Sequence, residues 1–182
     1  EGTTLAGARL DDASFDHAKL TEVVLMQAVA PRANFSDATL TRCMLNEASL
    51  EGASFARAVV KESLFIAAKL ATASFEGASF DRVSIANADL RGATLPTTMS
   101  RTVLDGTKLG PAALGPRSKE ARAAVTIDGG DWSRADLKGI DLSFSNLRGL
   151  DLRGADLTGA KLKNVVLTDC NLTGAKLRGA EI

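Results

Sequence analysis

The sequence predicts an all-β solenoid of about eight coils, each with four short sides. Three observations predict this class. Apolar residues recur at every fifth position, small residues stand two positions before them, and phenylalanine recurs at every twentieth position. A period of five matches neither an α-helix nor a β-strand. It indicates a chain that turns a corner after each short extended side.

The first block of this pattern covers residues 1–95. Its central apolar positions begin at Leu5 and Leu10 and end at Leu90 and Leu95, and alanine is frequent two residues earlier. These two positions lie on the same side of an extended segment. Each side of a coil is therefore expected to point one small and one larger side chain inward, with polar residues outside.

The spacing of phenylalanine in the sequence indicates the number of sides per coil. Phe15, Phe35, Phe55 and Phe75 are separated by four units each. A four-sided coil places these four rings in one stack, at the strand spacing of about 4.8 Å.

Residues 96–134 interrupt the period, and two insertions are predicted there, at 96–100 and at 115–124. Ser118 is expected to cap one or two turns of helix in the second insertion. That segment is interpreted either as a tolerated surface loop or as a protruding recognition element. Trp132 stands at a central apolar position, and its size predicts that it lies partly outside the coil.

The second block covers residues 135–182 and continues the first. Its central positions run from Leu137 to Leu177 in steps of five, and the block closes at Ile182. Glycine fits the backbone demands of a corner. It occupies the predicted corners at Gly139, Gly149, Gly154, Gly159, Gly174 and Gly179.

The segments ADLTG, ADLRG, ANFSD and CNLTG resemble the pentapeptide-repeat family, whose consensus is A(D/N)LxX. The resemblance covers residues 3–95 and 135–182, although the first block often has Ser, Thr or Lys where the consensus has Asp or Asn. It implies a right-handed quadrilateral β-helix. Some members of the family resemble a DNA duplex in size and charge and bind DNA gyrase, which gives quinolone resistance.

Charge argues against that role for this chain. The 182 residues include 22 basic and 22 acidic ones, so the formal net charge is zero. A duplex mimic needs a strongly acidic surface, and a nucleic-acid binder needs a basic one. Gyrase binding by DNA mimicry stays an alternative, and nucleic-acid binding is not expected.

The sequence predicts no catalytic, cofactor or metal site. The single histidine, His17, falls at a corner and is expected to be exposed, while Cys43 and Cys170 are expected to be buried and too far apart for a disulfide. Acidic residues recur in two predicted ladders, which are interpreted as solvated charge ladders. The ladders are Asp136, Asp156 and Lys176, and Asp141, Lys161 and Glu181.

An apolar column is the strongest surface feature. Val24, Met44 and Leu64 stand at outward positions twenty residues apart, and Met26 and Ile66 lie beside them. A contiguous exposed apolar patch marks an interaction surface. The alternative is that another segment of the chain covers it.

The predicted function is a non-catalytic protein–protein interaction module or scaffold, a rigid rod that binds a partner protein through this column, the second insertion, or both. The candidate loop contacts are Arg117, Lys119, Glu120 and Arg122. A homo-oligomer, formed through an uncapped end or the apolar column, is the other predicted assembly.

A second alternative is a docking segment cut from a larger secretion-system component or effector, because the chain begins without Met and without a cap. No membrane span is predicted. No targeting segment can be read from the start of the chain, and the cytoplasm is the default expectation for a bacterial protein of this kind.

Overall fold

The computed structural model describes residues 2–109 and 126–182, and strands stacked in parallel dominate it. The strands follow one another in the sheet in chain order, and every neighbouring pair is parallel. They are β1 (Lys19–Thr21), β2 (Thr39–Thr41), β3 (Val59–Lys61), β4 (Ser79–Asp81), β5 (Thr98–Val103), β6 (Thr126–Asp131) and β7 (Leu150–Asp151). The all-β solenoid is confirmed.

Four ladders of paired residues define the four faces of the coil. Face 1 begins with the pair Thr4 and Val24, face 2 with Arg9 and Val29, and face 3 with Ser14 and Asn34. Face 4 holds strands β1 to β4, beginning with the pair Lys19 and Thr39. The partners in each pair are twenty residues apart, which confirms the four-sided coil.

The seven stacked strands give about six turns between β1 and β7, fewer than the eight coils expected. Toward both ends the pairing is carried by isolated bridges, such as Thr4 with Val24 and Lys161 with Glu181. These bridges continue the ladders beyond the seven strands, on face 1 from Thr4 to Asn171.

The core is a set of stacked side chains along the axis. The rings of Phe15, Phe35, Phe55 and Phe75 lie 4.7, 4.8 and 4.9 Å apart in sequence order, with planes within 14° of parallel. Phe65 meets the ring of Phe55 edge-on at 5.8 Å. The predicted phenylalanine stack is confirmed. Its spacing equals the distance between neighbouring turns, because each turn contributes one ring.

Corners place the backbone in the left-handed region. Glycine takes this conformation at Gly139 (φ 63°), as predicted, but Asp37 (φ 56°) and Arg57 (φ 57°) take it as well. For a residue with a Cβ atom this conformation costs about 1–2 kcal/mol. The turn-to-turn hydrogen bonds around each corner hold it in place, for example Arg57 N to Glu76 O at 2.8 Å.

The segment 96–100 is not an insertion, in contrast to the expectation. Phe80 pairs with Met99 rather than with residue 100, so this turn is one residue shorter than its neighbours. Met99 is 1% exposed and fills the inward position. Met99 then pairs with Ile127, 28 residues later, so the extra length falls in residues 110–125, which lie outside the described part of the chain.

Trp132 lies wholly inside the coil, which corrects the expectation that it sits partly outside. Its indole is 0% exposed, and its backbone N–H donates to Asp151 O at 2.8 Å like any inward residue. Gly130 holds the second inward position on this side, where its neighbours in the ladder are Thr102 and Leu150. A Cβ there would lie 2.3 Å from the carbonyl oxygen of Thr102. The missing side chain allows the backbone of this turn to lie close to the backbone of Thr102.

Candidate interaction face

The residues of the predicted apolar column lie together on face 1. Val24 pairs with Met44, and Met44 with Leu64, in one parallel ladder. Met26 and Met44 are 36% and 37% exposed, whereas Val24, Leu64 and Ile66 are half-buried. Five apolar side chains on consecutive turns therefore reach the same surface.

The uncharged surface extends beyond that column. Over the turns from residue 4 to residue 103, every outward position of face 1 lacks a charge, and we call these positions the apolar face. They are Thr4, Ala6, Val24, Met26, Met44, Asn46, Leu64, Ile66, Ser84, Ala86 and Val103. Over the same turns the other faces carry outward charges, such as Lys69 on face 2, Glu76 on face 3 and Lys61 on face 4.

Asn46 is the one side-chain amide within the apolar face, and sequence reasoning missed it. Its turn lies between those of Met26 and Ile66, and its Oδ1 accepts a hydrogen bond from the Ile66 backbone N–H at 3.1 Å. The Asn46 amino group is then a donor in the middle of an apolar surface. Reading every outward position at the twenty-residue period would have found it.

Charged corners border the apolar face on one side. Arg42 pairs with Glu22 at 3.0 Å, and Arg82 pairs with Glu62 at 2.5 Å. On the other side, Gln27 Nε2 donates to Glu47 Oε2 at 3.0 Å. The two arginines are thus paired with carboxylates one turn away, whereas Glu47 is held by a neutral amide.

Above Val103, face 1 becomes charged. Arg134 binds both carboxylate oxygens of Asp105, and Ser133 Oγ donates to Asp105 Oδ1 at 3.1 Å. The Arg134 guanidinium holds the pKa of Asp105 below its usual value. This cluster sets the upper boundary of the apolar face.

His17 lies at an exposed corner, as predicted. Its Nδ1 lies 3.0 Å from Asp16 Oδ2, and one ligand-type atom each of Asp16, His17 and Asp37 lie within 4.8 Å of one another. Asp37, however, accepts two hydrogen bonds from Arg57, at 2.8 and 2.5 Å, which lower its pKa. An exposed cluster whose best carboxylate is already engaged by a cation is weak support for a metal site.

The two predicted charge ladders stack as expected. Lys138 Nζ lies 3.8 Å from Asp136 and 3.5 Å from Asp156, and Lys176 Nζ lies 3.7 Å from Asp156. Asp141, Lys161 and Glu181 form the second ladder. Hydrogen bonding by Thr158, followed by Lys138, lowers the pKa of Asp156. A general acid needs a raised pKa, so these ladders favour a solvated surface over catalysis.

The two cysteines are free. Cys43 is buried, and burial raises the pKa of its thiol, whereas Cys170 is half-buried because it lies in the last turn. The expectation of a buried residue is thus confirmed for Cys43 and wrong for Cys170.

The candidate loop contacts Arg117, Lys119, Glu120 and Arg122 fall within residues 110–125 and lie outside the described residues. The structure gives no placement for the predicted helical turn capped by Ser118. Within residues 2–109 and 126–182 there is no helix that could cross a membrane.

Most of the chain is similar to one known protein family. A family model described as pentapeptide repeats matches residues 1–29, 33–63, 61–95, 126–159, 135–174 and 151–182. No curated protein matches the sequence. The matching segments leave out residues 96–125, where the period of five is interrupted.

Solved structures similar to this chain also contain pentapeptide repeats or share their fold. HetL, a pentapeptide-repeat protein involved in heterocyst differentiation regulation from the cyanobacterium Nostoc sp. strain PCC 7120, is 28% identical, with 97% of this chain and 90% of that chain covered and a TM-score of 0.35. QnrB1, a plasmid-mediated fluoroquinolone resistance protein, is 18% identical, with 98% and 91% covered and a TM-score of 0.55. The likeness to QnrB1 bears on the fold alone.

Proposed function

Because this chain belongs to the pentapeptide-repeat family, we propose that it is a non-catalytic scaffold that binds a partner protein through the apolar face. The observation that carries the proposal is the run of Val24, Met44 and Leu64 on consecutive turns, with no charge at any outward position around them. Water solvates such a surface poorly, and contiguous exposed apolar patches mark interaction sites.

The rigidity of the fold supports a binding role. Backbone groups behind the face pair from turn to turn, for example Leu25 N with Met44 O at 2.7 Å and Leu45 N with Leu64 O at 2.7 Å. A surface held in one conformation loses little entropy when it binds, which favours association. The apolar core beneath it, with Leu25, Leu45 and Phe65 each at most 1% exposed, fixes the positions of the outward side chains.

The arrangement of the rim also supports a protein partner. An apolar centre bordered by polar and charged residues is the usual anatomy of a protein interface. Here Met44 lies at the centre, and the pairs Glu22 with Arg42 and Gln27 with Glu47 lie at the two borders.

The experiment that tests this function is a photo-cross-linking pull-down from the cells that produce the protein. Wild type is compared with Met44→Glu, which places a charge at a 37%-exposed position of the apolar face. The matched control is Val59→Glu, an outward valine on face 4. We expect a partner that the wild type and Val59→Glu recover and that Met44→Glu loses.

Two controls make the result decisive. Circular dichroism and thermal unfolding must show that Met44→Glu keeps the β structure and the stability of Val59→Glu. If all three proteins recover the same partners in the same amounts, the apolar face is not the binding surface and the proposal is wrong.

A further inference from the structure

We propose that the apolar face receives an amphipathic helix of the partner protein, laid along the solenoid axis. This inference rests on the proposed function and adds the kind of segment that binds. It follows from the size of the face, from the state of its backbone groups and from its charge.

The size of the face argues against a stable dimer of this chain. Five turn-to-turn steps separate Thr4 from Val103 along the ladder, which gives a length of about 24 Å, and one side of a coil is about 12 Å wide. The face therefore offers about 300 Å². A stable dimer buries about 800 Å² on each partner, so two copies packed face to face here would not form a stable dimer. A helix on this face buries no more area than that, so its binding is expected to be weak and transient.

A single helix fits these dimensions. An α-helix is about 10 Å across, and about 16 residues span 24 Å. Its apolar side chains recur with each turn of about 5.4 Å, close to the spacing of about 4.8 Å between Val24, Met44 and Leu64. One stripe of side chains at i, i+3 or i+4, and i+7 can therefore follow the apolar column.

The backbone of face 1 argues against an extended peptide. Strand addition needs unpaired N–H and C=O groups on the receiving sheet. Here Val24 N donates to Thr3 O at 2.9 Å, and Met44 N donates to Val23 O at 3.0 Å. Leu64 N donates to Cys43 O at 2.9 Å. A helix satisfies its own backbone groups and needs none from the face, so it loses nothing on such a surface.

The charge and polarity of the apolar face indicate which side chains the partner helix carries on its contacting stripe. The rim ions Arg42 and Arg82 already pair with Glu22 and Glu62, so the partner stripe need not carry charges to match them. The amino group of Asn46 calls for one hydrogen-bond acceptor near the middle of the stripe, because a buried donor left unpaired is costly. The expected stripe is therefore Leu, Ile, Val or Met with one central Gln, Asn, Ser or Thr.

The test uses a synthetic helical probe in solution with the full chain. The probe is a hydrocarbon-stapled, fluorescein-labelled peptide of about 16 residues with leucine on one stripe, one central glutamine in that stripe, and alanine, serine and glutamine elsewhere. A second peptide has the same composition and staple, with the stripe scrambled around the helix. Fluorescence anisotropy measures binding of both peptides to wild type, Met44→Glu, Met26→Glu and Val59→Glu.

We expect the striped probe to bind wild type and Val59→Glu equally. Each charge on the face, in Met44→Glu and in Met26→Glu, should weaken binding about tenfold or more. The scrambled peptide should bind weakly to every protein. Two variants on the face guard against a result that reflects misfolding of one of them.

Three outcomes would overturn the inference. They are no binding of the striped probe, equal binding of the scrambled peptide, and a wild-type dimer in sedimentation that Met44→Glu dissociates. If the cross-linked partner is lost with Met44→Glu while the probe fails to bind, the proposed function stands and the helix is wrong. If the cross-linking experiment fails as well, both are wrong.

Discussion

Single positions in this protein are set by the space that neighbouring turns leave. Gly130 lacks a side chain at a place where a Cβ would lie 2.3 Å from the carbonyl oxygen of Thr102, and the indole of Trp132 lies inside the coil. The indole N–H has no hydrogen-bond partner among the described residues. An unpaired buried donor costs free energy, and the burial of a large apolar ring offsets that cost.

Trp132 is the one tryptophan of the chain, so its fluorescence reports this position alone. We expect short-wavelength emission and little quenching by acrylamide in the folded protein, because the ring is buried among apolar residues. Unfolding in guanidinium should shift the emission to long wavelength and restore quenching. Red-shifted, readily quenched emission from the folded protein would contradict the buried placement.

At the scale of structural elements, the corners of the coil carry different residues in the two blocks. In the first block, corner residues one turn apart carry opposite charges and pair along the axis, as Asp12 does with Arg32 at 2.7 Å and Asp37 with Arg57 at 2.5 Å. In the second block, glycine takes many of the same corners, including Gly139 and Gly159. The two blocks thus meet the same backbone requirement with different side chains.

These corner pairs give the stability a dependence on pH. Hydrogen bonds from Arg32 and Arg57 lower the pKa of Asp12 and Asp37 from the usual 3.8. A carboxylate whose pKa is lowered on folding stabilises the protein above its unfolded pKa. That contribution is lost as the pH falls through the folded pKa. We expect the free energy of unfolding, measured by urea denaturation, to be constant from pH 7 to about pH 5 and to fall below about pH 4.

Arg57→Gln tests the origin of this effect. The variant removes the partner of Asp37, so the decrease below about pH 4 should become smaller. Arg178→Gln, which removes an exposed arginine with no ion pair recorded in residues 2–109 and 126–182, should keep the wild-type dependence. Identical profiles for all three proteins would show that the corner pairs do not cause the acid sensitivity.

At the scale of the whole molecule, the protein is an electrically balanced rod, and face 1 is uncharged at its outward positions from Thr4 to Val103. Acidic groups are numerous, but Glu22, Asp37 and Asp105 each lie against an arginine one turn away. Such a surface does not reproduce the continuous negative charge of a DNA duplex, which carries one charge per about 1.7 Å of helix axis. The balance of charge supports a scaffold over a duplex mimic.

The charge balance predicts the behaviour toward DNA gyrase. Added to a gyrase supercoiling assay with a quinolone, the protein should neither inhibit supercoiling nor relieve inhibition by the drug, because it lacks the charge that mimicry requires. A gyrase-binding member of the pentapeptide-repeat family serves as the positive comparison. Relief of quinolone inhibition by this protein at concentrations similar to those of that family member would contradict the prediction and support the gyrase alternative.

The fold was largely predictable because the period of the sequence equals the period of the structure. Each turn repeats the same contacts with its neighbours, so the position of Phe35 above Phe15 followed from the spacing of phenylalanine alone. The same rule placed Val24, Met44 and Leu64 in one column. It failed where the period changes, at Met99, because a turn one residue short is invisible until the pairing partners are known.

By itself, the sequence determined the class of the fold, the four sides of the coil, the stacked core and the apolar column, since each depends only on residues at fixed spacing. The tertiary structure alone decided the burial of Trp132, the inward place of Met99, the hydrogen bond of Asn46 and the pairing of charges along the corners. These depend on contacts between one turn and the next, such as the close approach of Gly130 to Thr102 or the reach of Arg57 to Asp37.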